Sequence, residues 1–226
     1  MSTTTEFSTD TLLGTRVYML PQTNHLRSLH TVIRDRAARR EDFLHVSSRI
    51  MRLLIEFGLN LLPFDPWEVQ TPVGRTYSGL RLTNDVCAVS IARAGNSIEA
   101  ELRAVCPTIR LGQMLIQRDK VTKLPRLYLS LLPPNIGDGH VLLLDPMLAT
   151  GGTARAAIEV LLEAGVAEEK IIFISLIAVP EGLDAVLDNH RAVRIVTSAI
   201  DERLNENAYM LPGIGDFGDR FYGTDR

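Results

Sequence analysis

The run VLLLDPMLATGGTARAAIEVLLEAG, residues 141–165, sets an acid, a proline, a pair of glycines and two threonines between an apolar stretch and an amphipathic one. Asp145 follows VLLL directly, so it leaves a buried strand at its end. Pro146 removes a backbone donor and biases Asp145 towards an extended conformation. In ATGGT (149–153) the glycines let the backbone come close to a ligand. Successive N–H groups at a helix start form an anion cradle, to which the Thr150 and Thr153 hydroxyls add donors. A phosphate is the ligand this arrangement suits. It is not a Walker loop, because no Gly-Lys-Ser/Thr ending follows. An ordinary strand-turn-helix accounts for the glycines but leaves the acid and the threonines unexplained.

Two further apolar runs end on a cation. VSIARAG (89–95) delivers Arg93 ahead of a tight turn, and LIQRDKVTKLP (115–125) delivers Arg118 ahead of a charged loop closed by proline. Each suits a second anion, and the loop could fold over a bound substrate. Each also has a plain alternative: a core ion pair for Arg93, a solvated hairpin for Arg118. Near the C-terminus GIGDFG (213–218) matches Gly-x-Gly-x-x-Gly, and its DFG looks like a kinase element. Only eight residues follow, so no βαβ unit can be built on it. A glycine-rich loop that offers backbone N–H and C=O groups to a small planar ligand is the better physical reading.

These residues need a frame. VCAVSIA (86–92), TIRLGQMLIQ (108–117), HVLLLD (140–145), IIFISLIAV (171–179) and VRIVTSAI (193–200) read as strands. Several are continuously apolar, as when both faces of a parallel strand are covered. Helical stretches at 96–105, 152–165 and 181–190 alternate with them. The alternation predicts an α/β fold, a doubly wound, mostly parallel sheet flanked by helices. Ligands in that architecture sit beyond the carboxyl ends of the strands, where Asp145, Arg93 and Arg118 all stand. Ahead of the sheet, NHLRSLHTVIRDRAAR places Leu26, Leu29, Val32 and Ile33 on one stripe with Asn24 as N-cap. A second helix, EDFLHVSSRIMRLLIEFG, carries acids in its first turn and ends near Gly58. The first twenty or so residues read as an irregular lead-in. Arg34, Arg36, Arg39 and Arg40 alternate with Asp35, Glu41 and Asp42, which reads as a solvated face rather than an anion site. One domain, 1–226, holds all of this, with an N-terminal arm (1–65) and a core with its tail (66–226).

Bulk composition narrows the function classes. The 226 residues are 46% hydrophobic and 23% charged, an ordinary soluble composition. A net charge of -3 argues against general nucleic-acid binding. No apolar run reaches the roughly 20 residues of a membrane span, so no membrane partner is expected. The start, MSTTTEFSTD, lacks the cationic and apolar parts of a secretory signal. Cys87 and Cys106 lie far apart, which favours a reduced, cytoplasmic chain with buried structural thiols. His25, His30, His45, His140 and His190 show no ligand spacing, so no zinc site is expected.

The motifs together resemble one family. DPMLATGGT (145–153) looks like the phosphoribosyl-diphosphate (PRPP) signature of the uracil phosphoribosyltransferases, and YMLPGIGDFGDRFYGT (209–224) looks like that family's uracil-binding tail. IARAG, QRD, VPEG (179–182) and DERLNE (201–206) occur in the family's order, and RAVCPTIRLGQMLIQRD is closer to its eukaryotic-type members. The likeness runs from about residue 70 to the C-terminus, behind a helical arm of the expected kind. The signature alone reaches only the type I phosphoribosyltransferase superfamily; the tail narrows it to uracil.

The resemblance implies pyrimidine salvage, with uracil and PRPP giving UMP and pyrophosphate, assisted by Mg2+. It makes Asp145, Pro146, Met147, Leu148, Ala149, Thr150, Gly151, Gly152 and Thr153 the PRPP run. There Asp145 faces the ribose hydroxyls, and Ala149 to Thr153 hold the 5′-phosphate. Arg93 and Arg118 match the family's diphosphate-binding arginines. Met210, Gly215, Asp216 and Phe217 read uracil mainly through the backbone. Asp216 also lies near PRPP, through water or a metal held mainly by the substrate. The catalytic candidates are then Asp145, Arg93, Arg118 and Asp216, with no single general base among them. Two departures from bacterial members stand out. Lys120-Val121-Thr122 follows Arg118-Asp119 where those often carry acids, and Phe217 replaces a small residue, which would tighten the uracil pocket. The family usually forms homodimers or homotetramers, and the arm's apolar stripe suits either a subunit contact or ordinary core packing. Some members respond to GTP, which stays open here as an effector. Two rivals remain. The acidic charge argues against a non-enzymatic, RNA-binding nucleotide sensor on the same fold. The tail argues against a phosphoribosyltransferase for another base.

Overall fold

The computed structural model describes residues 11–12, 16–82, 85–118 and 125–224. Strands β1 (Thr11–Leu12) and β2 (Val17–Met19) lead into helices α1 (Asn24–Arg34) and α2 (Arg40–Leu59), then into a hairpin of β3 (Phe64–Gln70) and β4 (Thr76–Leu82). The central run is β5 (Val86–Ala92), α3 (Glu99–Val105), β6 (Arg110–Arg118), β7 (Pro125–Leu131), β8 (His140–Leu144) and β9 (Met147–Leu148). It continues through α4 (Gly152–Glu163), β10 (Ile171–Ala178), α5 (Pro180–Leu187) and β11 (Arg194–Ile200). The tail holds β12 (Arg203–Leu204), β13 (Met210–Leu211) and α6 (Phe217–Tyr222).

The main sheet runs β1-β2-β11-β10-β8-β5-β6-β7, with β9 beside β10. Its interior pairs are parallel, and only the edge pairs β1/β2 and β6/β7 are antiparallel. Val141, Leu142, Leu143 and Leu144 are all 0% exposed, because both faces of β8 are covered. Successive strand residues point to opposite faces, and the two cores divide accordingly. Leu142 and Leu144 pack with α1 and α2, through Leu29, Ile33, Phe43, Ile50 and Leu54. Val141 and Leu143 pack with α4 and α5, through Ala157, Ile158, Leu161 and Leu183.

The doubly wound sheet expected from the alternating pattern is therefore present, with several differences in detail. The N-cap of α1 is Thr23, whose Oγ1 accepts the Leu26 N–H at 3.1 Å, and Asn24 is already helical. The stripe of Leu26, Leu29 and Ile33 is spent on this chain's own core. The helix expected from 96 opens as a 3-10 turn over Ala94–Ile98. Part of the supposed lead-in is sheet: β2 pairs in parallel with β11. The β3/β4 hairpin adds two strands beyond those the sequence pattern predicts. Pro66 and Gly79 interrupt its runs, and such residues demote a strand reading; its two strands are largely exposed.

One constraint on the sheet bears directly on the strand exits. Gly95 follows β5, and a Cβ there would stand 2.3 Å from the carbonyl oxygen of Leu144, the last residue of β8. Only a residue without a side chain lets the turn after β5 close on the end of β8. Gly95→Ala should therefore cost roughly 1–3 kcal/mol, the usual scale of overpacking, read from urea unfolding midpoints. An unchanged midpoint would contradict this packing.

Candidate active site

The chain leaves β5 and β8 in opposite directions. From β5 it passes through α3 to β6 on one side; from β8 it passes through α4 to β10 on the other. Because β5 and β8 are hydrogen-bonded neighbours, their carboxyl ends flank a topological switch point, where α/β sheets open a crevice. Arg93 is the residue after β5 and Asp145 the residue after β8. Both line a cavity of about 380 Å³, together with Met147 and Ala149 from the strand exits and Met210, Gly215, Asp216 and Phe217 from the tail.

The run after Asp145 is fixed to the sheet by its backbone. The Pro146 carbonyl accepts from Leu176 and Ile177 N–H groups at 3.0 and 3.1 Å, and the Leu148 carbonyl accepts from Val179 N–H at 3.2 Å. Leu148 is buried and Ala149 reaches the cavity. Thr150 and Gly151 then lead to Gly152 and Thr153 in the first turn of α4, which has no side-chain cap. Its leading N–H groups have no partner within the helix. Arg118 ends β6 opposite Pro125 of β7. A Cβ on Gly152 would stand 3.9 Å from Pro125 Cγ, so this hairpin returns beside the start of α4. The charged loop over 119–124 and the Arg118 side chain lie outside the described residues.

Arg93 is neither buried nor in a core ion pair. Its side chain is 51% exposed and is braced by the tail. Its guanidinium donates to Asp219 Oδ1 at 3.0 Å and to Thr224 Oγ1 at 3.2 Å, and lies 5.0 Å from the centre of the Tyr222 ring. The Tyr222 hydroxyl donates to the Arg93 carbonyl at 3.0 Å. Asp216 caps α6, its Oδ1 accepting the Asp219 N–H at 2.9 Å. A Cβ on Gly218 would lie 3.3 Å from both Arg93 Nη2 and Asp216 Oδ1. The small residue thus lets a cation and a carboxylate converge at the cavity wall.

The ring of Phe217 is 1% exposed and packs against Phe43 and Phe221, with centroids 5.5 and 5.4 Å away. It anchors the tail in the core, and the residue also lines the cavity. Sequence reasoning missed Ala208 and Tyr209, which also line the cavity, and the brace of Asp219 and Tyr222. These follow no strand, and only the tail motif around them marks the region. Arg34 departs from the solvated face assigned to it: it pairs with the buried Asp201 at 2.6 Å. Arg39, with Glu41 and Asp42, is exposed as expected. Cys87 is buried and Cys106 partly so, both free. Burial pushes both thiols up, Cys87 to about 11, which suits inert structural thiols. Among the described residues no helix is long and apolar enough to cross a membrane.

A sequence model of one family, uracil phosphoribosyltransferase, matches residues 20–224. The chain belongs to the uracil phosphoribosyltransferase family. It is 52% identical over 209 residues to the uracil phosphoribosyltransferase of Dictyostelium discoideum, covering 92% of this chain and 97% of that one. It is 49% identical over 206 residues to that of Lachancea kluyveri, covering 91% and 95%. A chloroplastic uridine/cytidine kinase of Arabidopsis thaliana, UKL1, is 46% identical over 209 residues, which are only 43% of its length. Among solved structures, the AQ2163 protein of Aquifex aeolicus superposes with a TM-score of 0.81 at 29% identity, covering 92% of this chain and 99% of that one. The adenine phosphoribosyltransferase of Leishmania donovani, at 11% identity and a TM-score of 0.58 over 88% of this chain and 89% of that one, shares the fold alone.

Within this family member, Asp145 has the most perturbed environment of the cavity carboxylates. The residue keeps partial contact with the cavity, yet the surrounding protein desolvates its carboxyl. Burial pushes it from 3.8 up to about 7, against the opposing pull of the Met147 N–H. Between those values the folded protein holds a proton that the unfolded chain has released, so stability falls as pH rises through this window. Asp145→Asn imitates the protonated form. The variant's melting temperature should therefore gain on wild type as pH rises from about 4 to about 7, and then hold its lead. A gap independent of pH would contradict the desolvated carboxyl.

Proposed function

We propose that the protein makes UMP and pyrophosphate from uracil and PRPP, in pyrimidine salvage. One observation carries the reading: a single cavity joins the strand-exit residues Arg93, Asp145 and Ala149 to the tail residues Met210, Gly215 and Asp216. A sugar polyanion and a flat pyrimidine bound side by side need that adjacency. The uncapped start of α4, with Ala149 to Thr153, takes the 5′-phosphate. Asp145 faces the ribose hydroxyls, and Arg93 and Arg118 take the diphosphate. Met210, Gly215, Asp216 and Phe217 meet the uracil edge mainly through backbone groups.

Displacing pyrophosphate from the anomeric carbon builds positive charge on the ribose and negative charge on the leaving group. Catalysis is then positioning and electrostatic stabilisation, with no covalent enzyme nucleophile. Asp145 lies beside the developing cation and Arg93 beside the departing anion. Arg93 is half exposed and already oriented by Asp219 and Tyr222, so little side-chain freedom is lost when the anion arrives.

Mg2+ fits as a substrate-held ion. Among the described residues no group of three or more His, Cys, Asp or Glu is placed to hold a metal, and the cavity offers the carboxylates of Asp145 and Asp216. Mg2+ commonly combines one or two carboxylates with phosphate oxygens and water. Bound so, it would neutralise charge on the diphosphate. The same reading makes the protein a cytoplasmic homodimer or homotetramer, open to GTP as an effector. Exposed Trp67, Leu80 and Leu131, on the hairpin and on β7, support the oligomer.

Labelled uracil should give UMP only when PRPP and Mg2+ are both present. Cytosine exchanges an acceptor for a donor on the edge that is read, and each buried mismatch costs about 1–3 kcal/mol. Cytosine should therefore fall behind uracil in kcat/KM on the order of 10²-fold or more. Comparable turnover of the two bases, or none with uracil, would overturn the proposal.

A further inference from the structure

The loop that carries Gly215 is held from behind by two side chains that do not line the cavity. Asp201 follows β11 and is 4% exposed. Its N–H donates to the Ala178 carbonyl at 2.8 Å, which ties it to the end of β10. Its Oδ1 accepts from Arg34 Nη2 at 2.6 Å. Its Oδ2 accepts from Arg34 Nη1 at 3.2 Å and from the Gly213 N–H at 2.9 Å. Arg34 Nη1 also donates to the Gly213 carbonyl at 3.1 Å. Both polar groups of the Gly213 backbone are thus committed to one ion pair. Met210 and Gly215, on either side of Gly213, line the cavity. The next carbonyl, of Ile214, accepts from Arg220 Nη1 at 2.8 Å, and Arg220 also holds the Ile33 carbonyl beside Arg34.

We infer that Arg34 and Asp201 are positioning residues for base recognition: the pair fixes the direction in which the peptide groups around Gly213 present themselves to the pyrimidine. The inference rests on the reading of this loop as the base site. A site that reads a base through its backbone has its selectivity in the orientation of its peptide groups. Irregular backbone keeps an orientation only through bonds to something rigid. Here the rigid supports are the end of the sheet, through Asp201, and the last turn of α1, through Arg34. An ion pair that only filled space could be replaced by apolar side chains at little cost. This one is bonded to the N–H and to the carbonyl of one loop residue, and so to both peptide units that flank the Gly213 Cα, which apolar side chains cannot reproduce.

The test compares KM for uracil with KM for PRPP in wild type, Arg34→Ala, Arg34→Lys, Asp201→Asn and the Arg34→Ala/Asp201→Asn double variant. In Arg34→Ala, KM for uracil should rise about tenfold or more while KM for PRPP stays within about twofold, a split that general loosening of the fold does not give. Arg34→Lys keeps the charge and should recover part of the loss, and the double variant should be no worse than Arg34→Ala, since the two residues act as one unit. Equal rises in both constants, or an unchanged KM for uracil, would overturn the inference. Should Arg34→Ala fail to fold, Arg34→Lys decides alone: a rise of about threefold confined to uracil supports the pair, and no selective change refutes it. A wild type inactive on uracil would refute the base-site reading and this inference together. An active wild type with an unselective Arg34→Lys would refute the pair alone.

Discussion

Two parallel strands that pair with each other, yet send the chain away in opposite directions, leave their ends uncovered on the same edge of a sheet. No helix can pack over that gap, because α3 belongs to one side and α4 to the other. The junction of β5 and β8 is such a place, and the rest of the site depends on it. It brings Arg93 and Asp145 together although 52 positions separate them in the chain, and it places Ala149, two residues before the N-cap of α4, on the same cavity. The residues beneath, Val141 to Leu144, are fully buried, so the polar groups above stand on a rigid floor. Preorganisation of this kind is what an electrostatic mechanism needs, since groups already in place have little reorganisation left when charge develops.

The tail has no such floor, and it is held by different physics. Among the described residues its regular pieces are the two-residue strands β12 and β13 and the short helix α6. Its position comes from the buried ring of Phe217 against Phe43, from the Arg220 guanidinium 4.1 Å from the centre of the Phe43 ring, and from arginine bonds to the carbonyls of Gly213 and Ile214. Hydrogen bonds from charged groups to backbone are stronger than neutral ones, which lets a few side chains substitute for a sheet ladder. The tail also braces Arg93 through Asp219, Thr224 and Tyr222. The strand-exit side and the tail side of the cavity are therefore mechanically linked.

This division explains what could be read in the sequence. β5 and β8 were legible because continuous apolar runs ending on an Arg and an Asp leave few alternatives to a buried strand with a polar exit. The strand-helix junction at Ala149 to Thr153 was legible from its glycines and threonines. The role of Arg34 was not legible. Its charge looked balanced by the neighbouring Asp35, whereas its real partner, Asp201, lies 167 positions away. Local spacing carries no trace of such a pair. Phe217 has a second role that local spacing does not show either: the residue lines the cavity while its ring packs on Phe43 and Phe221. The β3/β4 hairpin was hidden because its largely exposed strands have no apolar face to generate a period.

The most direct test of the whole account is a crystal structure of the protein soaked with UMP. The 5′-phosphate should lie on the backbone N–H groups of Gly151 to Thr153, the ribose hydroxyls beside Asp145, and the pyrimidine edge against Met210 and Gly215. A nucleotide whose phosphate occupies that cradle while its base lies away from the tail would contradict it.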